Sequence, residues 1–221
     1  MRTSHCFTLE QLSVLLSGSG CDVLRGIGCK SIELRNEDVI NSLNELCKTG
    51  ALTSDGETFS MRDEIRPLIR ALSEPSGYLY IRTPRTQAAD LCCCFSDEIL
   101  VCSRDSLVPE LVRLKLTDSQ GLCELVSRLL PENETELLPD ETRAERFERE
   151  RLSPSCYEEP IGADSPMLFN AERLDRDGGL LGSLRIIQMN LYTYIAFFDG
   201  KRTVRECYTA ANTLRLFGRL L

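Results

Sequence analysis

The chain has 221 residues, 42% hydrophobic and 27% charged, the balance of a folded globular protein and not of a disordered or fibrous one. Its net charge of -8 argues against a phosphate-binding surface, because non-specific nucleic-acid affinity comes from lysines and arginines displacing counterions. Eleven cysteines do not make it a disulfide scaffold, since such scaffolds are short secreted chains, and Met1 to Glu10 lacks a secretory pattern while no apolar run approaches the ~20 residues that cross a bilayer.

The first expected helix opens at a capping box of Thr8 and Gln11 and continues through Leu9, Leu12, Leu15 and Leu16 until Gly18 and Gly20 stop it. A weakly patterned stretch, Cys21 to Leu34, follows. Asn36 is the expected cap of a second helix with Glu37 and Asp38 in its first turn and an apolar face of Val39, Ile40, Leu43, Leu46 and Cys47. Asp55-Gly56 then predicts a two-residue hairpin turn, both positions tolerating positive φ. Asp63 is placed to cap a third helix carrying Ile65, Leu68, Ile69 and Leu72, which Pro75 ends. Helix, helix, hairpin, helix is a winged-helix pattern.

Tyr78 to Arg82 reads as a strand. With a turn at Ser96-Asp97, Phe95 pairs with Glu98, which places Cys92, Cys94, Ile99 and Val101 on one face and Leu91, Cys93, Phe95, Leu100 and Cys102 on the other. Both faces are apolar, so both need cover, and these strands belong near the centre of a sheet. Val112, Leu114 and Leu116 alternate with Arg113 and Lys115, a strand with one wet face and a place nearer an edge. Thr117 and Gln120 form a second capping box for a helix carrying Leu122, Leu125, Val126 and Leu129, which Pro131 terminates.

Beyond it the chain turns acidic and proline-containing. Leu184 to Phe198 is too long for one strand, which predicts a break or bulge near Asn190. An Asp199-Gly200 turn joins Tyr192–Phe198 to Lys201–Cys207, and Thr209 opens a last helix with Leu214, Phe217, Leu220 and Leu221 on its apolar face. A strand hairpin followed by a Thr-capped helix ending in Arg-Leu-Leu therefore occurs twice.

Catalytic chemistry finds no foothold in this pattern. The lone histidine, His5, falls in a segment expected to fray, and a general base must be held within reach of its proton. There is no Cys-x-x-Cys pair, and adjacent strand cysteines point to opposite faces, so no metal is expected. The glycine pairs Gly18/Gly20 and Gly26/Gly28 fit no phosphate loop or dinucleotide fingerprint, and no cofactor is expected. The winged-helix pattern suggests a DNA-binding transcriptional regulator as the alternative reading, yet the helix from Asn36 carries Glu37, Asp38 and Glu45 against Lys48, a surface phosphates would repel.

The expected protein is α+β, with a mostly antiparallel central sheet flanked by helices and a pseudo-repeated hairpin-helix unit. Its segments are a winged-helix-like module over 1–75, a first sheet-helix unit over 76–130, an acidic linker or mobile loop over 131–166 and a second sheet-helix unit over 167–221. The run Thr8-Leu9-Glu10-Gln11-Leu12, the helix ending in Lys-Thr-Gly-Ala-Leu up to Leu52, the stretch Ile69 to Pro75 and the hairpin, strand and Leu-rich helix ending at Pro131 together resemble the EspG family of type VII (ESX) secretion chaperones. The resemblance implies a central antiparallel sheet flanked by helical bundles, with a pseudo-twofold relation between halves. It further implies a non-catalytic cytoplasmic chaperone that binds the apolar tip of a helical secretion substrate, with no nucleic-acid partner and no membrane insertion. For the contact the sequence offers Leu214, Phe217, Leu220 and Leu221 together with the 131–165 loop, although an amphipathic stripe usually faces its own domain.

Overall fold

The computed structural model describes residues 4–21, 34–83, 91–104, 108, 110–131, 167–189 and 192–221. In chain order they form β1 (His5–Thr8), α1 (Leu9–Ser17), α2 (Asn36–Lys48), β2 (Leu52–Ser54), β3 (Phe59–Met61), α3 (Arg66–Ser73), β4 (Gly77–Arg82), β5 (Leu91–Phe95), β6 (Ile99–Arg104), β7 (Leu111–Thr117), α4 (Ser119–Ser127), β8 (Met167–Asp175), β9 (Leu180–Met189), β10 (Tyr192–Phe198), β11 (Thr203–Cys207) and α5 (Ala210–Phe217). Nine strands make one antiparallel sheet in the order β1-β7-β6-β5-β4-β8-β9-β10-β11, and β2 with β3 makes a separate two-stranded ribbon. The chain divides into two compact units, one drawn from within 1–80, 86–122 and 174–179, the other from within 81–85, 123–173 and 180–221. The expected linker over 131–166 falls, after Pro131, outside the described residues.

In the first unit α1, α2 and α3 lay Leu12, Leu15, Leu16, Leu46, Leu68, Ile69 and Leu72 over one sheet face, where Phe7, Tyr78, Cys92, Cys94, Leu100, Cys102, Val112 and Leu114 meet them. The Thr8 capping box forms as expected, the Thr8 hydroxyl accepting from Gln11 N and the Gln11 side chain accepting from Thr8 N at 2.9 Å. The side chains of Cys93, Phe95, Ile99 and Val101 on the other face are also buried, so both faces of the β5–β6 ribbon are covered. β7 alternates as expected, Val112 and Leu114 buried and Arg113 and Lys115 exposed, and lies second from the sheet edge beside β1.

In the second unit β9, β10 and β11 pair in sequence, with Ile195 opposite Ile186 and Phe197 opposite Leu184. The long apolar run is thus two strands of a hairpin whose described ends, Met189 and Tyr192, pair; Asn190 itself lies outside the described residues. α5 lies on the face that carries Gly182, Phe197 and Glu206. Arg219 sits over the Phe197 ring, 4.7 Å from its centroid, and Arg215 pairs with Glu206 at 2.6 Å. A β-carbon at Gly182 would come within 2.9 Å of both Leu220 Cδ2 and the Phe198 carbonyl, so glycine is what lets the chain segment after α5 approach the strand.

Several local expectations are corrected. The β5–β6 turn has three residues, Ser96 to Glu98, so Phe95 pairs with Ile99, Cys94 with Leu100 and Cys92 with Cys102. This one-residue shift exchanges every β6 side chain between faces, since strand side chains alternate with period two. Cys92, Cys94, Leu100 and Cys102 therefore share the helix-covered face. Both Asp-Gly turns are also longer than two residues, because each aspartate caps two amides of its own loop. Asp55 accepts from Glu57 N and Thr58 N, Asp199 from Lys201 N and Arg202 N; β3 is Phe59–Met61, the segment the sequence places after the turn, while β11 begins at Thr203 and not at Lys201. Gly56 and Gly200 take the positive φ of 98° and 88° inside those loops.

Three helix starts move by a residue or more. α2 is capped at Arg35, whose N–H donates to the Asp38 carboxylate; α3 starts after Ile65, with Asp63 in the preceding turn; and Asp118, not Thr117, accepts from Gly121 N at the start of α4. α5 starts as expected at Thr209, whose hydroxyl accepts from Asn212 N at 3.0 Å. β1 and β8 had no counterpart among the expected strands.

Candidate partner-binding site

His5 is held in β1 opposite Leu114, with its ring stacked 6.4 Å from that of Phe7, so it is ordered and not frayed. Among the described residues no group of three or more histidine, cysteine, aspartate or glutamate side chains could hold a metal ion. The central thiols sit in an apolar setting. Hydrogen bonding to Cys94, and then burial, pushes the Cys92 and Cys102 thiols well above their ordinary range; the same hydrogen bonds, from Cys102 first and then Cys92, pull the Cys94 thiol well below it, and burial pushes the neighbouring Tyr80 phenol up. In the folded chain the two raised thiols are poor nucleophiles, and Cys94, at 0% exposed, is closed to reagents by burial.

The four side chains offered for partner contact separate into two pairs. Phe217 is 0% exposed and Leu220 6%, and Leu220 fills the space that Gly182 leaves. Leu214 and Leu221 are half-buried, open to contact from outside. Leu216, which the sequence reading omitted from the apolar face, is 1% exposed. The inward stripe of α5 is thus Thr213, Leu216 and Phe217, a spacing of three and four that the Arg-Leu-Leu repeat obscured. Leu180 stands two residues before Gly182, hence on the same strand face by alternation, and keeps 46% of its surface; Leu181 keeps 48%. Leu180, Leu214 and Leu221 are accessible apolar side chains of one unit.

The first unit presents a second accessible surface. Ile40 on α2 is 58% exposed and Phe59 on β3 is 49% exposed. Ile40 was expected on the inward face of α2, but the buried positions are Ser42 and Leu46, one turn apart, and Ile40 lies off their row. Beside α3 a groove of about 520 Å³ runs between Arg66, Arg70 and Glu74 on the helix side and Ser96 to Glu98 on the β5–β6 turn. The Arg66 guanidinium donates to the Met61 carbonyl at 3.1 Å and lies 3.7 Å from Asp63, while Arg70 lies 3.9 Å from Glu74, with 65% and 73% of the arginine side chains exposed. Exposed pairs this long contribute little to stability. No helix among the described residues is long and apolar enough to cross a membrane.

No protein-family model matches the sequence, and no curated protein matches it. Among solved structures the chain is similar in fold to the Mycobacterium tuberculosis type VII secretion system chaperone EspG5, solved in complex with the PE25-PPE41 dimer. The TM-score is 0.59 at 10% sequence identity, over 99% of this chain and 95% of that one. At this identity the likeness concerns the fold: an α+β protein built on one large antiparallel sheet with helices packed on it.

Proposed function

We propose that this chain is a non-catalytic cytoplasmic chaperone or adaptor that binds a helical type VII secretion substrate and keeps its apolar tip from water before export. The observation that carries the reading is the end-to-end likeness in fold to EspG5, a type VII secretion system chaperone solved in complex with the PE25-PPE41 dimer. In this reading the accessible Leu214 and Leu221, with Leu180 of the same unit, are the apolar contact for such a tip, and the buried Phe217 and Leu220 belong to the core. The winged-helix-like module over 1–75, with α1, α2, β2–β3 and α3, is in the same reading a protein contact. DNA binding is disfavoured by Glu37 and Asp38 in the first turn of α2 and by the pairing of Lys48 with Glu45 at 2.7 Å.

The test is co-expression with a small helical protein encoded beside this one, followed by size-exclusion chromatography. A co-eluting complex that Leu214→Asp and Leu221→Asp weaken by at least about tenfold supports both the chaperone role and the apolar contact, since a hot-spot side chain is worth about 1–2 kcal/mol or more. An unweakened complex moves the contact elsewhere. Absence of any complex, with DNA retention that falls steeply as salt rises, ends the chaperone reading.

A further inference from the structure

The β5–β6 ribbon holds three free thiols on one face, Cys92, Cys94 and Cys102, exposed by 3%, 0% and 2%. Their positions are not equivalent. Cys92 stands directly opposite Cys102 in the antiparallel register, whereas Cys94 stands opposite Leu100. Directly opposed residues have α-carbons about 4.5–5.5 Å apart, within the roughly 4.4–6.8 Å at which a disulfide closes. The diagonal from Cys94 to Cys102 is about 7–8 Å, beyond that span, and Cys93 points to the other face. Side-chain hydrogen bonds to Cys94 from both neighbours place all three sulfurs in one buried cluster, with the Tyr80 phenol also hydrogen-bonded to Cys92.

We propose that Cys92 and Cys102 are a cross-strand disulfide site, oxidised while the hairpin is open and sealed when α1, α2 and α3 pack over it. The oxidant class is a small-molecule disulfide. The Cys102 thiolate attacks one of its sulfurs and the S–S bond breaks; the departing thiolate takes up a proton. The Cys92 thiolate then attacks the Cys102 sulfur and releases the second small thiol. Two protein thiols are oxidised by two electrons to one disulfide, and one small-molecule disulfide is reduced to two thiols. Once the sheet is packed, neither oxidant nor reductant reaches the sulfurs, so the folded chain keeps the redox state in which it folded. The site is independent of the chaperone reading, and neither stands or falls with the other.

The experiment refolds the full chain from urea in oxidised glutathione or in dithiothreitol, blocks remaining thiols with iodoacetamide and cleaves after glutamate. Glu98 lies between the two cysteines, so a Cys92–Cys102 bond joins two peptides, and fragmentation between Cys92 and Cys94 assigns the sulfur. The expected result is that linked pair after refolding in oxidised glutathione, retained in Cys94→Ala and absent in Cys102→Ala. It should also resist dithiothreitol in the folded protein and yield to it in urea. Full alkylation of Cys92 and Cys102 in the oxidised sample, or linkage of Cys102 to Cys94 instead, overturns the proposal. Because the wild-type chain is read directly, a variant that fails to fold leaves the outcome intact.

Discussion

The two units solve the same packing problem with different side chains. Both contain a strand pair that is apolar in both alternations, yet β5–β6 fills its helix-covered face with sulfur and leucine, while β9–β10 uses Phe197 with Leu184, Ile186 and Ile195. The difference follows from what lies on top. Three helices bring seven buried leucine and isoleucine side chains to the first face, so the strands there supply small groups. α5 and the residues after it bring Leu216, Phe217 and Leu220, so the strands there supply a ring. Interior density is close to constant, and strand side-chain size is therefore complementary to the volume of the covering layer.

Truncation separates the two cases most sharply. Phe197→Ala removes a ring that is 1% exposed and lies under the Arg219 guanidinium, and should cost about 3–5 kcal/mol. Cys94→Ala removes one sulfur from a fully buried site and should cost on the order of 1 kcal/mol, close to the loss of a single buried methylene. Urea unfolding midpoints at constant slope measure both. Equal losses would break the comparison.

Close approach sharpens it from the opposite side. Gly182→Ala drives a methyl group against Leu220 and the Phe198 carbonyl, and overpacking of that kind should cost about 1–3 kcal/mol in the same assay. Combining it with Leu220→Ala should recover part of the loss, because the clashing side chain is then gone. The second unit also ties its core to backbone: the buried Tyr208 hydroxyl donates to the Pro131 carbonyl at 2.6 Å. Tyr208→Phe should cost about 1–2 kcal/mol, since it leaves that carbonyl without its partner. A change smaller than a few tenths would mean that water takes the place of the phenol.

The sheet class, the first and last helices, β4 and the doubly apolar β5–β6 ribbon were legible from alternation and capping residues, because burial on a fixed side writes itself into period two or period 3.6. The β5–β6 register was not. Ser96-Asp97-Glu98 permits turns of two or three residues, and with both faces apolar the hydrophobic pattern places no penalty on the wrong choice. The burial around α5 was half legible for a related reason. Leu214, Phe217, Leu220 and Leu221 share an apolar character, but only packing against Gly182 decides that Leu220 is core while Leu221 stays accessible. β8 was missed because Met167 to Asp175 mixes Asn170, Glu172 and Arg173 into its alternation, masking a strand whose Phe169 and Ala171 are fully buried.

The smallest effect lies in the Asp-Gly loops, one in each unit, and it distinguishes a backbone turn from a charged anchor. Backbone hydrogen bonds from Thr58 and Glu57 hold the Asp55 carboxyl below its ordinary range, and those from Arg202 and Lys201 do the same for Asp199. A lowered folded-state value means the anion is favoured by folding. Each aspartate therefore stabilises above the ordinary carboxyl value of 3.8, and the contribution is lost as pH falls through the lower folded-state value. The unfolding midpoints of Asp55→Ala and Asp199→Ala should lie below wild type near pH ~6 and converge with it near pH ~2. Asn in place of Asp, which keeps the accepting oxygen, should give a variant whose midpoint lacks this pH dependence. Salt then separates the loops. Asp199 also faces Arg202 at 3.7 Å and Arg219 at 3.9 Å, whereas the additional partner of Asp55 is the neutral Thr58 hydroxyl at 3.0 Å. Raising salt to ~1 M should shrink the Asp199→Ala deficit and leave that of Asp55→Ala nearly unchanged, because screening acts on charge pairs and far less on a neutral turn. Equal salt responses would show that the arginines do not couple to Asp199 and that both loops are backbone turns alone.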